Sequence, residues 1–277
     1  MNLNTAAIDG FQLRIATTPS APGTLPLLIF NGIGANVELL RGFAEAMGAF
    51  GIGVVAFDVP GIGGSSKPVR PYRLGRLARL ASCVLAHLGI EGPVDVAGVS
   101  WGGALAQEFV RRYRRRVRRL LLAATTAGVF AVPGKWSVLS KMMDGRRYSD
   151  AAFMARVGGE LYGGKMRADP ALLSQFGRMV RPPKGRAYYY QLLAVTGWTS
   201  AWFLPLLNVQ TLVMMGTDDP IVPLVNGKLL AALLPNARLV EIDDGHLFLL
   251  TSAAECAPIV ASFLNAGEWP AERRGVA

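Results

Sequence analysis

Cysteine and histidine are scarce in this sequence, with two of each among 277 residues. Cys83 and Cys256 are too few for a disulfide scaffold or a cysteine-rich zinc module, and two histidines leave little for a histidine metal site. The glycine-rich segments 31–34 and 61–64 lack the third glycine of a dinucleotide-binding fingerprint. We therefore expect neither a metal ion nor a cofactor.

The sequence also lacks segments typical of export or membrane insertion. The N-terminus has no basic start followed by an apolar run, so no secretory signal is recognised. The longest weakly polar stretch, Leu120 to Pro133, is too short to span a bilayer. Charged residues make up only 17% and hydrophobic residues 51%, which argues against disorder. We expect a soluble, cytoplasmic protein.

Basic residues outnumber acidic residues by 29 to 19, a formal net charge of +10. Seven arginines lie at positions 111–119, and residues 128–205 hold 11 basic and 4 acidic residues, so the excess is concentrated in these two segments. The arginine run is predicted to cover a helix C-terminus, where the helix dipole favours cations and a solvated face is the simplest interpretation. Nucleic-acid binding is the alternative, but we expect no nucleic-acid partner.

Short apolar strands alternate with amphipathic helices in the first half of the chain, a pattern typical of a parallel sheet. The pattern stops near residue 128 and resumes near residue 206. The predicted strands are 8–16, 26–30, 54–57, 94–97, 120–124, 211–215 and 237–242, and the predicted helices are 37–50, 74–88, 104–113, 225–234 and 253–264. The sequence predicts an α/β fold with a mostly parallel central sheet flanked by helices.

Residues 128–205 have a different character, with no convincing strand, several glycine and proline breaks, and half of the chain's aromatic residues. We interpret them as a helical insertion into a core made of residues 1–127 and 206–266. The last residues, 267–277, are predicted to form a mobile polar tail.

The segment Gly98-Val99-Ser100-Trp101-Gly102 fits the G-x-S-x-G pattern. It follows an apolar strand and precedes a helix, which is the strand–turn–helix context that a nucleophile elbow requires. Glycines fit such a tight turn because a Cβ would crowd the neighbouring backbone. Ser100 is therefore the predicted nucleophile.

The predicted general base is His246, which follows the strand 237–242 on a loop at its carboxyl end, where catalytic groups gather in open α/β sheets. His87, near a helix end, is the weaker candidate. Asp219 follows the strand 211–215 in the same way and is predicted to orient the base. Asp218 is an adjacent alternative, whereas residues 243–244 are too close to His246 in sequence to reach Nδ1 comfortably.

The backbone N–H groups of Trp101, just after the nucleophile, and of Ile33, on the loop after an early strand, are the predicted donors of an oxyanion hole. Asn31 and Trp198 are further expected contacts to substrate. The order Ser100, Asp219, His246 is that of the α/β-hydrolase arrangement.

These residues carry a family resemblance. The chain resembles α/β-hydrolases throughout and, more narrowly, the intracellular poly(3-hydroxyalkanoate) depolymerases that act on medium-chain polyester granules. The similar stretches are PLLIFNGIGAN (26–36), AFDVPGIGGSSKP (56–68), GVSWGGALAQEF (98–109), VPGK (132–135), LYGG (161–164), YYYQLLAVTGWTS (188–200), MMGTDDPIVPL (214–224) and DDGHLFLL (243–250). The resemblance implies Ser100, Asp219 and His246 as a triad and residues 128–205 as a lid over the active site. Asn31 stands where many α/β-hydrolases carry histidine.

The sequence therefore predicts a serine ester hydrolase that cleaves poly(3-hydroxyalkanoate) through an acyl-enzyme, with a granule surface or a small ester as its partner. A small-molecule carboxylesterase or enol-lactonase of the same fold is the alternative, because the triad does not set substrate choice. A non-catalytic binding protein on this scaffold is the second alternative.

Overall fold

A computed structural model describes residues 1–148 and 150–266, so the predicted mobile tail lies outside the described residues. The eight strands within these described residues form one sheet in the order β1-β2-β4-β3-β5-β6-β7-β8. The strands are β1 (Asn2–Ile8), β2 (Phe11–Thr17), β3 (Leu27–Phe30), β4 (Val54–Phe57), β5 (Val94–Val99), β6 (Val117–Ala123), β7 (Gln210–Gly216) and β8 (Ala237–Ile242). Strands β3 to β8 are mutually parallel, and β2 is antiparallel to both of its neighbours. The predicted mostly parallel sheet is confirmed.

The prediction of one strand over residues 8–16 is wrong, because a hairpin turn interrupts it. Asp9 and Gly10 have φ values of 48° and 83°, and they join β1 to β2. Asp-Gly is a strong two-residue hairpin signal, since both central positions of the turn need a positive φ.

Helices cover both faces of the sheet. They are α1 (Arg41–Gly48), α2 (Leu74–His87), α3 (Trp101–Arg112), α4 (Trp136–Met143), α5 (Ala151–Tyr162), α6 (Gly164–Ala168), α7 (Pro170–Met179), α8 (Ala187–Val195), α9 (Val225–Leu233), α10 (Phe248–Thr251) and α11 (Ala253–Asn265). One apolar core joins α2, α3 and α9 to the sheet, and another joins α1, α10 and α11. Alternate residues of the buried strand β3 enter the two cores, as a strand's two-residue period requires.

Helices α4 to α8 lie between β6 and β7 in the chain and pack against loops at the carboxyl ends of the strands. The turn between α5 and α6 is closest, because a Cβ at Gly163 would meet the backbone of Asp218, and one at Gly164 would meet that of Gly245. Both glycines have positive φ values. These contacts place the inserted helices against the loops that follow β7 and β8. Among the described residues, no helix is both long and apolar enough to cross a membrane.

The arginine run crosses the end of α3, a 3₁₀ turn and the start of β6, and many of its guanidinium groups bind other parts of the chain. Arg111 and Arg112 pair with Glu108 at 2.7 and 2.6 Å. Arg119 is buried and donates hydrogen bonds to carbonyl groups at the end of α11. A solvated face therefore describes an exposed member such as Arg115 but not Arg119.

Candidate active site

Ser100 occupies a strained turn between β5 and α3, with φ 54° and ψ −120°. Left-handed φ values in a non-glycine residue cost of order 1–3 kcal/mol and cluster at functional sites. A Cβ at Gly98 would meet the Gly102 carbonyl and the Ala106 side chain, and a Cβ at Gly102 would meet the Phe30 carbonyl. The close approach of these backbones explains both glycines of the G-x-S-x-G pattern.

Neighbouring strand ends hold this turn in place. The Ser100 N–H donates to the Ala123 carbonyl at 2.9 Å, and the Thr125 hydroxyl donates to the Ser100 carbonyl at 2.7 Å. The Ser100 side chain consequently stands at the carboxyl end of the sheet, beside the N-terminus of α3, where the helix dipole favours negative charge.

The structure brings together Ser100, His246 and Asp219 from loops after three different strands. His246 Nε2 lies 3.0 Å from Ser100 Oγ, and His246 Nδ1 lies 2.7 Å from Asp219 Oδ2. The other Asp219 oxygen accepts hydrogen bonds from the Ile221 and Val222 N–H groups, both at 2.9 Å. His246 and Asp219 are buried. With Asp219 at Nδ1, the neutral imidazole presents Nε2 to the serine hydroxyl as an acceptor.

The alternative candidates have other partners. Asp218 is exposed and accepts hydrogen bonds from the Gly164 N–H and the Arg167 guanidinium, both at 2.7 Å. Asp243 is exposed, and His87 is exposed at the end of α2. In the structure the orienting position on His246 is thus held by Asp219, not Asp218.

Asp244 is buried beneath the His246 loop and organises it. Its Oδ1 accepts from the N–H groups of Lys165 and Gly245 at 2.7 and 2.6 Å, and its Oδ2 accepts from the hydroxyls of Thr251 and Ser252 at 2.5 and 2.7 Å. Burial by itself would raise the pKa of Asp244, but these hydrogen bonds outweigh burial and hold the pKa below its ordinary value of 3.8. Asp244 fixes the backbone next to His246 rather than the imidazole itself.

The two predicted oxyanion donors flank Ser100. Trp101 begins α3, and Ile33 belongs to the loop after β3, where a Cβ at Gly32 would lie 3.7 Å from the Ser100 Cβ. Neither the Ile33 nor the Trp101 amide N–H donates a hydrogen bond to the described part of the chain. Both donors are thus available beside the serine. The Asn31 side chain shapes this loop, since its Nδ2 donates to the Asn36 carbonyl at 2.9 Å.

The inserted helices hold both donor segments. Gln191 of α8 is buried, and its Oε1 accepts from the Gly34 N–H at 2.8 Å. The Gln191 backbone carbonyl accepts from the Trp101 indole N–H, also at 2.8 Å. The Tyr148 hydroxyl donates to the Ile33 carbonyl at 2.5 Å. A side chain or carbonyl of the insertion therefore touches each loop that carries a predicted donor.

A pocket lies beside Ser100 and His246. Apolar and tyrosine side chains dominate its wall, and the loop after β3 forms one side. The lining residues are Asn31, Gly32, Ile33, Ala35, Leu39, Leu40, Val99, Ser100, Met142, Arg147, Tyr148, Tyr162, Phe176, His246, Leu247, Leu249 and Leu250. Asn31 lines this pocket, whereas Trp198 lines a separate groove with residues of α2 and α3. Their contacts to substrate stay predictions.

Sequence reasoning missed the pocket residues that come from the insertion: Met142, Arg147, Tyr148, Tyr162 and Phe176. The aromatic content indicated the segment but not the positions, since no strand-end rule applies inside a helical insertion. Arg147 carried no signal in a segment of 11 basic residues. Gln191 was missed for the same reason.

The sheet, the serine turn and the histidine–aspartate pair define the class of protein. The chain belongs to the alpha/beta hydrolase fold family, whose family model matches residues 26–253. It is 49% identical over 261 residues to the poly(3-hydroxyalkanoate) depolymerase of Ectopseudomonas oleovorans, covering 94% of this chain and 92% of that protein. It is 32% identical to the 2-hydroxymuconate semialdehyde hydrolase of Pseudomonas putida, over 76% of each chain.

Solved structures agree on the fold. The enol-lactonase of Burkholderia xenovorans LB400 superposes with a TM-score of 0.81 at 22% identity, covering 95% of this chain and 100% of the enol-lactonase. A likeness at this level of identity concerns the fold alone.

Proposed function

We propose that this chain hydrolyses the ester bonds of poly(3-hydroxyalkanoate), with Ser100, His246 and Asp219 as its catalytic triad. The observation that carries the proposal is the hydrogen-bonded series from Ser100 through His246 to Asp219, with contacts of 3.0 and 2.7 Å. The similarity to a poly(3-hydroxyalkanoate) depolymerase over 94% of the chain supports the substrate class.

In the proposed mechanism, Ser100 Oγ attacks the ester carbonyl while His246 Nε2 takes its proton. Asp219 holds the imidazole and stabilises its charged form. The Ile33 and Trp101 N–H groups bind the oxyanion of the tetrahedral intermediate. The C–O bond of the ester then breaks, and His246 protonates the departing alkoxide. Water repeats the sequence on the acyl-enzyme, which releases the acid and restores Ser100.

The apolar pocket supports a medium-chain substrate. Aliphatic and aromatic side chains line most of its wall, so alkyl side chains of the polymer would bury apolar surface there. Residues 128–205 act as a lid in this proposal, with residues 1–127 and 206–266 as the core, because side chains of the insertion cover one side of the pocket.

An exposed apolar patch on the insertion and beside it supports binding to a polyester granule. Its members are Val129, Phe130, Val132, Trp136, Trp202, Leu206 and Val225, and Phe130, Trp136, Trp202 and Leu206 are each at least 64% exposed. The Val129 N–H donates to the Trp198 carbonyl at 3.1 Å, which brings Val129 beside the segment that leads to Trp202. Hydrogen bonds between Val132 and Asn226 add α9 to this surface. Contiguous exposed apolar surface is typical of an interaction site.

Granule binding can be tested by co-sedimentation with amorphous medium-chain granules. We expect Phe130→Ser/Leu206→Ser to lower the granule-bound fraction at least several-fold, and Val69→Ser, which changes a 95% exposed valine outside the patch, to leave it unchanged. Equal binding by the double variant would refute this surface. Binding that falls with added salt would instead indicate the cationic segments.

The decisive experiment compares hydrolysis of medium-chain and short-chain polymer granules by the wild-type chain and by Ser100→Ala. We expect release of 3-hydroxy acids from medium-chain granules and its loss in Ser100→Ala, while Ser140→Ala, a change of an exposed serine in α4, keeps wild-type activity. Hydrolysis by Ser100→Ala at the wild-type rate would refute the proposed nucleophile.

Hydrolysis of a small molecule is the second candidate, supported by the 32% identity to a 2-hydroxymuconate semialdehyde hydrolase. A series of soluble esters of rising acyl length, beside that hydrolase's own substrate, separates the two. Activity confined to the small substrates would favour this second candidate.

A further inference from the structure

Arg147 is a buried cation on the pocket wall. It lies in the 3₁₀ turn Gly145–Tyr148 and is 4% exposed. Its guanidinium donates to the Tyr188 hydroxyl at 3.0 Å and to the Tyr162 hydroxyl at 3.3 Å, and it lies over the Tyr148 ring at 4.3 Å from the centroid. Its Nε–H is buried without a hydrogen-bond partner, and within the described part of the chain no carboxylate pairs with it.

An unpaired buried charge is expensive, because it loses hydration that only a counter-charge or several good hydrogen bonds replace. Other buried charges of this chain have such partners: Asp95 pairs with Arg118, and Glu108 with Arg111 and Arg112. Arg147 also keeps its charge. Burial lowers its pKa, but Tyr148, Tyr162 and Tyr188 outweigh burial, so the pKa stays above its ordinary value. The pocket therefore contains a permanent positive charge that its own wall does not neutralise.

The charge faces the same pocket as the reacting serine. Arg147, Ser100 and His246 all line it. The hydroxyl of the next residue, Tyr148, donates to the Ile33 carbonyl. The backbone carbonyl of Tyr162 accepts from the backbone N–H of His246 at 2.7 Å. Arg147 therefore contacts these two tyrosines, of which Tyr148 binds the loop that carries Ile33 and Tyr162 binds the loop that carries His246.

We propose that Arg147 binds the carboxylate at the acid end of the substrate chain and directs cleavage to the neighbouring ester bond. This inference rests on the function proposed above. A linear poly(3-hydroxyalkanoate) chain has one free carboxylate. Whichever ester bond is cut, this carboxylate lies on the fragment that leaves as the alcohol. The terminal nitrogens of Arg147 contact Tyr162, Tyr188 and the Met142 sulfur, but its Nε–H has no partner. A guanidinium with an unpartnered N–H suits a carboxylate because the hydrogen bond between them is charge-assisted.

The carboxylate takes no part in the bond changes of the chemical step. Ser100 Oγ bonds to the carbonyl carbon and gives its proton to His246. The bond from that carbon to the alcohol oxygen breaks, and His246 returns the proton to this oxygen. The leaving group is a free 3-hydroxy acid whose carboxylate is held by Arg147, while the rest of the chain remains on Ser100 as the acyl-enzyme. Repetition shortens the polymer from its acid end.

The first test uses the wild-type chain and two soluble probes, the linear dimer of 3-hydroxyoctanoate as the free acid and the same dimer as its methyl ester. We expect kcat/KM for hydrolysis of the internal ester to be at least about tenfold higher for the acid, because a charge-assisted pair is lost in the methyl ester. Equal values, or a preference for the methyl ester, would overturn the proposal.

The second test measures the same ratio in variants. In Arg147→Met we expect the acid-to-methyl-ester ratio to fall to about one, mainly through KM for the acid, and in Arg147→Lys to fall less. The control Arg146→Met should keep the wild-type ratio, since Arg146 is an exposed neighbour that pairs with Asp144 at 2.6 Å. If Arg147 only supports the tyrosines, Arg147→Met lowers both rates and leaves the ratio unchanged, which would refute carboxylate recognition.

If Arg147→Met does not fold, the comparison of the acid and methyl-ester dimers with the wild-type chain still tests the proposal. Inhibition of a soluble neutral ester's hydrolysis by 3-hydroxyoctanoate, but not by its methyl ester, is also expected of the wild-type chain. The same measurements distinguish failure of the Arg147 inference from failure of the proposed function. If Ser100-dependent hydrolysis of granules and methyl-ester dimer occurs without preference for the acid, only the Arg147 inference fails; if neither is hydrolysed, the proposed function fails.

Discussion

Replacing Asp244 should destabilise the chain more than replacing its neighbour Asp243 by the same residue. Asp244 accepts four hydrogen bonds beneath the His246 loop, whereas Asp243 is exposed. In Asp244→Ala, the Thr251 and Ser252 hydroxyls can rotate toward other acceptors, but the Lys165 and Gly245 N–H groups cannot. A bond to a charged group contributes about 1.5–3 kcal/mol, so we expect the free energy of unfolding to fall by about 3–5 kcal/mol.

Urea denaturation of a series of variants measures these changes in the free energy of unfolding. Asp244→Asn keeps one acceptor oxygen, so its loss should be about 1–2 kcal/mol, while Asp243→Ala should change stability by less than about 0.5 kcal/mol. Because Gly245 adjoins His246, Asp244→Ala should also lower kcat where the protein is still folded.

The difference in the free energy of unfolding between the wild-type chain and Asp244→Ala should become smaller at acidic pH. The pKa of Asp244 in the folded chain lies below its ordinary value of 3.8. Its ionised form therefore stabilises the fold fully above that value, and this contribution is lost as the pH falls through the folded-state pKa. A loss below about 1 kcal/mol for Asp244→Ala at neutral pH, or a difference that grows in acid, would refute this account.

Three further predictions concern Ser100's surroundings. Asp219→Asn should lower kcat by about 10⁴-fold in ester hydrolysis, because the imidazole loses its orienting acceptor; a loss below tenfold would contradict this role. Gln191→Leu leaves the Gly34 N–H without its acceptor, so kcat should fall about tenfold and unfolding free energy by about 1–2 kcal/mol, and an unchanged kcat would show that the loop holds without it. Gly102→Ala places a Cβ against the Phe30 carbonyl and should lower the unfolding free energy by at least about 2 kcal/mol in thermal melts; a wild-type melting curve would contradict the close approach.

Much of the sheet could be predicted from sequence because strands such as β3, β4 and β7 are apolar runs bounded by asparagine, aspartate or glycine. Besides the hairpin at residues 9–10, two boundaries differ from the prediction for physical reasons. Helix α3 begins at Trp101, not at residue 104 as predicted, because the tight packing at Gly102 and Gly103 outweighs the low helix propensity of glycine. Strand β6 begins inside the arginine run, where Arg119 is buried by its bonds to the end of α11, a tertiary contact that periodicity does not reveal.

The site divides in the same way. Ser100, Asp219 and His246 follow strands, so a rule about the sheet's edge was enough to bring them together in the prediction. The sequence favoured Asp219 but left Asp218 open as an adjacent alternative, because only the loop's course shows that Asp218 faces Arg167. Trp198 and Arg147 depend on how the inserted helices pack, and no local pattern indicates which of their side chains reach the pocket.

The contacts of Gln191 have a consequence for engineering. Its side chain and its carbonyl bind the two loops that carry the predicted oxyanion donors, so the insertion holds these loops and also forms a wall of the pocket. A chimera that grafts another hydrolase's insertion onto this core would change turnover together with substrate range. Grafts that carry glutamine at the position of Gln191 and tyrosine at that of Tyr148 should preserve turnover best, which makes these two side chains the first to transplant.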